Sequence, residues 1–134
     1  MIVEQKKVNF EDARGTIMDI FTKAPKDHAT IIFTKKDGVR GNHYHKLTTQ
    51  SDFIVSGSME IFGKKEGEQV RREVIGVNSF VIWEPNEQHS FRALEDTVFI
   101  TFNEGLRGGE DYEKDTFRLD VPLHVQYEQE QQST

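Results

Sequence analysis

The chain has 134 residues, 35% of them hydrophobic, and a formal net charge of −6 from 17 basic and 23 acidic side chains. That length suits one domain, and the acidic balance argues against a general nucleic-acid or membrane-surface binder. Cysteine is absent, which removes disulfides, thiolate catalysis and Cys-type zinc sites. The N-terminus lacks an apolar run of signal-peptide length, and nothing approaches a span of about 20 apolar residues, so the expectation is a soluble cytoplasmic protein.

Helical periodicity is scarce, and short apolar or alternating runs dominate. In chain order the predicted strands cover residues 7–10, 15–21, 29–35, 41–45, 50–56, 58–64, 69–75, 79–83, 89–93 and 97–103. Turn signals separate them at Lys36-Asp37-Gly38, Ser56-Gly57-Ser58, Lys65-Glu66-Gly67, Gly76-Val77-Asn78 and Glu84-Pro85-Asn86. Many short strands at regular spacing predict an all-β sandwich or barrel. Exposed edges in such sheets make a homodimer formed through strand exchange an expectation. One face of the 50–56 strand carries Gln50, Asp52 and Ile54. That face is too polar for a plain core and suits a barrel that encloses a polar site. Residues 104–114 are glycine-rich and charged, and 115–121 read as a final strand or a packed arm. Residues 126–134 show no apolar spacing and are expected to fray, leaving residues 1–125 as a single barrel domain.

The chemistry concentrates at Arg40-Gly41-Asn42-His43-Tyr44-His45. Residues i and i+2 of a strand point to one face, so His43 and His45 aim both imidazoles at one spot. A third histidine, His89, lies on a later predicted strand. Such a group can hold a metal ion or transfer protons. Paired imidazoles on one face are costly to bury for structure alone. His28 and His124 lie outside these motifs and are read as surface residues.

The spacing resembles the first motif of the cupin superfamily: a glycine, H-x-H, three or four residues, a glutamate, six residues and a second glycine. Here the series is Gly38, His43-Tyr44-His45, Gln50 and Gly57, with the first gap one residue short and glutamine in the glutamate position. Pro85-Asn86-Glu87-Gln88-His89 is similar to the second motif, with Asn86 where glycine is usual; the family's later asparagine position falls on Ala93. A narrower likeness is carried by Asp12-Ala13-Arg14-Gly15 together with Arg40-Gly41-Asn42-His43-Tyr44-His45-Lys46. It resembles cupins that act on sugar nucleotides, among them the 3,4-ketoisomerases of nucleotide-linked 4-keto-6-deoxy sugars. The cupin domain of capsular-polysaccharide enzymes is similar almost letter for letter over RGNHYH. The 3,5-epimerases of keto sugars share the D-x-RG and RG-x-H elements but lack the second histidine.

This resemblance implies a double-stranded β-helix (jelly roll) and an isomerase or epimerase of a nucleotide-linked 4-keto-6-deoxy sugar in surface-polysaccharide synthesis. Two site readings stay open. Without a metal, His43 and His45 are the catalytic base and polarising donor, an imidazole with a pKa near 6.5 being well matched to proton transfer at neutral pH. With a metal, His43, His45, Gln50 and His89 are the ligands of one divalent ion, Zn, Ni or Fe, and no other cofactor is expected. A neutral amide in the carboxylate's place weakens attraction for the ion but leaves its full charge to act on a substrate oxygen. Candidate substrate-binding residues are Arg40, for a pyrophosphate or carboxylate, Trp83, for stacking, and Tyr112, as an acid in the glycine-rich segment. Their blander readings are a turn-stabilising ion pair, core packing and loop packing. Gln50 could simply fix the tautomer of His45. Other metal-dependent small-molecule chemistry, or a sugar-binding module without turnover, is the alternative function.

Overall fold

A computed structural model of the chain describes residues 1–105 and 113–133. Its strands, in chain order, are β1 (Ile2–Gln5), β2 (Phe10–Asp12), β3 (Gly15–Ile17), β4 (His28–Thr34), β5 (Val39–Tyr44) and β6 (Thr49–Ser56). They continue with β7 (Ser58–Lys64), β8 (Arg71–Gly76), β9 (Ser79–Trp83), β10 (Gln88–Ala93), β11 (Thr97–Glu104) and β12 (Phe117–Arg118), before helix α1 (Leu123–Gln132). One five-stranded sheet runs β1-β9-β6-β11-β4 and a second runs β12-β5-β10-β7-β8. Neighbouring strands in both are antiparallel. This is the expected double-stranded β-helix.

The core lies between the two sheets. Ile54, Val81, Trp83 and Phe99 from the first sheet meet Met59, Ile61, Ile75 and Phe91 from the second. Phe91 and Phe99 meet edge to face at 5.2 Å. Burying each such side chain contributes about 1.5–3 kcal/mol. The turn signals act through backbone conformation: Asp37, Asn78 and Asn86 take φ of 70°, 69° and 69°. Short polar side chains tolerate this left-handed region, which explains how Asn86 stands where a glycine is usual.

Three expectations need correction. The first strand is Ile2–Gln5, paired with β9, rather than residues 7–10. Phe10–Ile17 instead makes the hairpin β2–β3, separate from both sheets. The segment expected to fray is helical from Leu123 to Gln132. The helix is held by tertiary contacts, since its sequence has no apolar face of useful width. Leu123 is fully buried with Phe62 and Val70, and Tyr127 packs on Phe62 at 5.7 Å. The Leu123 backbone N–H also donates to Asn42 Oδ1 at 2.9 Å, anchoring the helix to β5. Among the described residues no helix is long and apolar enough to cross a membrane.

Candidate functional site

His43 on β5 stands directly opposite His89 on β10. The two strands approach closely beside this pair, where the register shifts between His89 and Ser90. Gly41 makes this approach possible: its φ is +86°, and a Cβ at that position would lie 2.8 Å from the His89 carbonyl oxygen. His45 follows the end of β5. Asn86, just before β10, donates its backbone N–H to the His45 carbonyl and ties the two histidine-bearing segments together.

The three imidazoles converge inside the barrel. Ring centroids are 4.9 Å apart for His43 and His45, 4.8 Å for His43 and His89, and 5.2 Å for His45 and His89. One ligating nitrogen from each ring lies within 4.8 Å of the others. Relative exposures are 7% for His43, 2% for His45 and 1% for His89. His89 is oriented by the Glu87 carbonyl, 3.1 Å from its Nδ1, and by the stacked ring of Trp83 at 5.1 Å.

A chain of polar contacts holds His45. Its Nδ1 lies 2.7 Å from the backbone carbonyl of Asp115, which can only accept, so Nδ1 carries a proton. Its Nε2 lies 3.2 Å from Gln50 Oε1. Gln50 in turn donates its amide nitrogen to both carboxylate oxygens of Asp52, at 3.1 and 3.2 Å. Asp52 is fully buried and also accepts from Trp83 Nε1 at 2.9 Å and from the Thr101 hydroxyl at 2.8 Å. Four donated contacts identify an ionised carboxylate, and they fix the amide with its oxygen facing His45. Two acceptors cannot face each other unaided, so a positive charge belongs between Nε2 and Oε1. A second proton on His45 supplies it, and so does a metal ion bound to both atoms.

Asp115 also shapes the turn after His45. Its carboxylate accepts from the Lys46 and Leu47 backbone N–H groups at 2.9 and 3.0 Å and from the Thr48 hydroxyl at 2.8 Å. Burial pushes this carboxyl up; the Thr48, Lys46 and Leu47 hydrogen bonds and the nearby His45 outweigh it and hold the pKa below the ordinary 3.8.

His43, His45, Gln50 and His89 are therefore brought together as expected. Trp83 is not available for stacking on a sugar: it is 1% exposed, lies behind His89 and spends its N–H on Asp52. Arg40 is exposed and turns to β4, donating to the Thr34 hydroxyl at 2.8 Å and the Phe33 carbonyl at 3.1 Å. Tyr112 lies outside the described residues. Three residues gained no role from sequence. Asp52 was visible only as polar spacing, Asn103 as a strand end, and Asp115 carried no signal because its contact with His45 spans 70 positions.

No family model and no curated protein matches the chain. Solved structures do. A 3,4-ketoisomerase from Helicobacter canadensis superposes with a TM-score of 0.75 at 17% identity, over 96% of this chain and 95% of that one. A sugar 3,4-ketoisomerase from Thermoanaerobacterium thermosaccharolyticum, in complex with TDP, gives 0.70 at 18% identity, over 98% and 95%. The dTDP-4-dehydrorhamnose 3,5-epimerase from Sulfolobus tokodaii gives 0.67 at 21% identity, over 77% and 69%. At such identities the likeness establishes a shared fold: this chain has the barrel of these sugar-nucleotide enzymes.

Proposed function

We propose that the protein is an isomerase or epimerase of a nucleotide-linked 4-keto-6-deoxy sugar, acting by proton transfer next to the carbonyl. The observation that carries this reading is the clamp on His45, whose Nδ1 meets the Asp115 carbonyl while Nε2 meets a Gln50 amide fixed by Asp52. It presents His45 as a proton donor beside His43, the most exposed of the three imidazoles and the base. His43 takes the proton from C3, and the electron pair moves through C3–C4 onto the carbonyl oxygen. His45 protonates that oxygen, giving an enediol. His45 then takes the proton of the C3 hydroxyl while His43 returns its proton to C4, which moves the carbonyl to C3. Return of the proton to the opposite face of C3 is epimerisation. The names of the structural neighbours support the substrate class.

A second reading is favoured by the same 3.2 Å separation and by the compact imidazole set. His43, His45, His89 and Gln50 would hold one divalent ion, Zn, Ni or Fe. That ion would supply Lewis-acid polarisation of the sugar carbonyl. Elemental analysis joined to a C3 deuterium-exchange assay separates the two. Exchange in metal-free protein supports proton transfer by the histidines alone. A stoichiometric ion whose removal stops exchange supports the metal. Binding of keto-sugar nucleotides without exchange would sink both and leave a sugar-binding module.

The assembly expected with this activity is a cytoplasmic homodimer serving surface-polysaccharide synthesis. The edge strand β4 supports dimerisation, with Ile31 and Phe33 exposed at 55% and 66%. A monomeric mass in solution would overturn that part.

A further inference from the structure

Asn103 on β11 has no solvent exposure, and neither its Nδ2 nor its Oδ1 has a hydrogen-bond partner among the described residues. Folded proteins pair nearly all such groups, and an amide left unsatisfied on both sides is costly. Nothing in the fold calls for it. Asn103 ends a row of buried positions, Thr97, Phe99 and Thr101, in which an apolar side chain also packs.

Its place in the barrel supplies a reason. Side chains alternate along β11, so Asn103 shares the interior face with Phe99 of the core and with Thr101, which binds Asp52. In cross-strand register Asn103 stands directly opposite Gln50 on β6 and opposite His28 on β4. Opposed residues have Cβ atoms about 4.5–5.5 Å apart. Gln50 does not satisfy the Asn103 amide: its own nitrogen is held by Asp52 and its oxygen faces His45. Asn103 is thus one step along the barrel wall from the residue that clamps His45. His28, half-buried and read from sequence as a surface residue, occupies the next step of the same row.

We propose that Asn103 is a substrate-binding residue that reads the hydroxy-ketone of the sugar. This rests on the keto-sugar reading above and names how that site recognises its substrate. An α-hydroxy ketone offers one acceptor, the carbonyl, and one donor, the hydroxyl, on adjacent carbons. A primary amide offers the complement, an N–H donor beside a C=O acceptor. The pairing satisfies both groups of Asn103 at once. In the free protein the amide is closed off from solvent, so no water serves it, and a ligand pairs with it only by displacing the groups packed over it. An analogue without the hydroxyl leaves the Asn103 oxygen unpaired, and sites built to bond a substrate hydroxyl reject such analogues strongly.

The test compares wild type with Asn103→Leu and Asn103→Ala. Each is titrated with a dTDP-linked 4-keto-6-deoxy hexose and with its 3-deoxy counterpart. Wild type is expected to prefer the 3-hydroxylated ligand by about tenfold or more. Both variants are expected to bind the two ligands within about twofold of each other. The alanine variant decides the matter alone if leucine prevents folding. A variant that keeps the wild-type preference, or a wild type without one, overturns the role of Asn103 while leaving the proposed activity standing. A wild type that binds neither ligand sinks the activity itself, and the recognition proposed for Asn103 with it.

Discussion

Asp52 determines which way Gln50 points: the carboxylate holds the amide nitrogen at 3.1 and 3.2 Å, and the amide oxygen is left facing His45. A fully buried carboxylate thereby fixes which end of the Gln50 amide meets the imidazole. Asp52→Asn should lose this control, because an amide at position 52 brings its own N–H2 toward the Trp83, Thr101 and Gln50 donors. The expected cost is about 1–3 kcal/mol of stability, seen by denaturant unfolding, with C3 exchange slowed at least about tenfold. A folded Asp52→Asn protein with the wild-type exchange rate would show that the amide orientation does not matter.

His43 and His45 are assigned different parts, so their variants should differ. His43→Asn should abolish exchange of the C3 proton with solvent deuterium. His45→Asn should retain slow exchange yet lose net isomerisation, each loss being about 10²–10⁴-fold. Both substitutions shorten a side chain in a polar setting, and circular dichroism should show an intact barrel. Normal turnover in either variant would remove that residue from the proton path.

Trp83 is the only tryptophan in the chain and is stacked on His89 at 5.1 Å. Its emission is therefore a direct report on the cluster. If His43, His45 and His89 take up a divalent ion, titration with Ni²⁺ should quench the buried indole at about one ion per chain, and His89→Ala should remove the effect. Emission that ignores Ni²⁺ while the protein stays folded would sink the metal reading.

Asp115 gives a pH signature. Its folded-state carboxyl lies below the ordinary value of 3.8. The unfolded chain therefore binds the proton more tightly, and the stabilisation is complete above about pH 5 and is lost as pH falls through the folded value. Asp115→Asn should be less stable than wild type by about 1–3 kcal/mol at neutral pH, because the 46–48 turn loses its anionic acceptor. The gap should close in acid, measured by denaturant unfolding from pH 7 down to pH 3. A gap that stays constant over that range would mean the charge of Asp115 contributes nothing.

The barrel and the convergence of the histidines in the candidate site were legible because both are written in short-range pattern. Alternation and turn residues marked the strands, and His43-Tyr44-His45 needed only the period of a strand to place two imidazoles on one face. The polar face Gln50-Asp52-Ile54 correctly pointed to an enclosed polar interior, since Gln50 and Asp52 are both buried. Long-range contacts were not legible. Helix α1 carries no amphipathic period and exists because Leu123 and Tyr127 find Phe62. The exchange of Trp83 from candidate sugar platform to support for His89 depends on Asp52, 31 positions away, taking its N–H.

Gly63 sits opposite His89 on the neighbouring strand, and a Cβ there would lie 2.8 Å from the six-membered ring of Trp83. The indole occupies the volume that a side chain at 63 would claim. Positions 63 and 83 consequently behave as a single site divided between two strands, and substitutions at them will not be additive. Gly63→Ala alone should push the indole onto His89 and cost more than the pair Gly63→Ala and Trp83→Phe together. A library that varies either position by itself will discard solutions that only joint variation can reach, and the geometry of the histidine cluster can be retuned from this pair without altering a histidine.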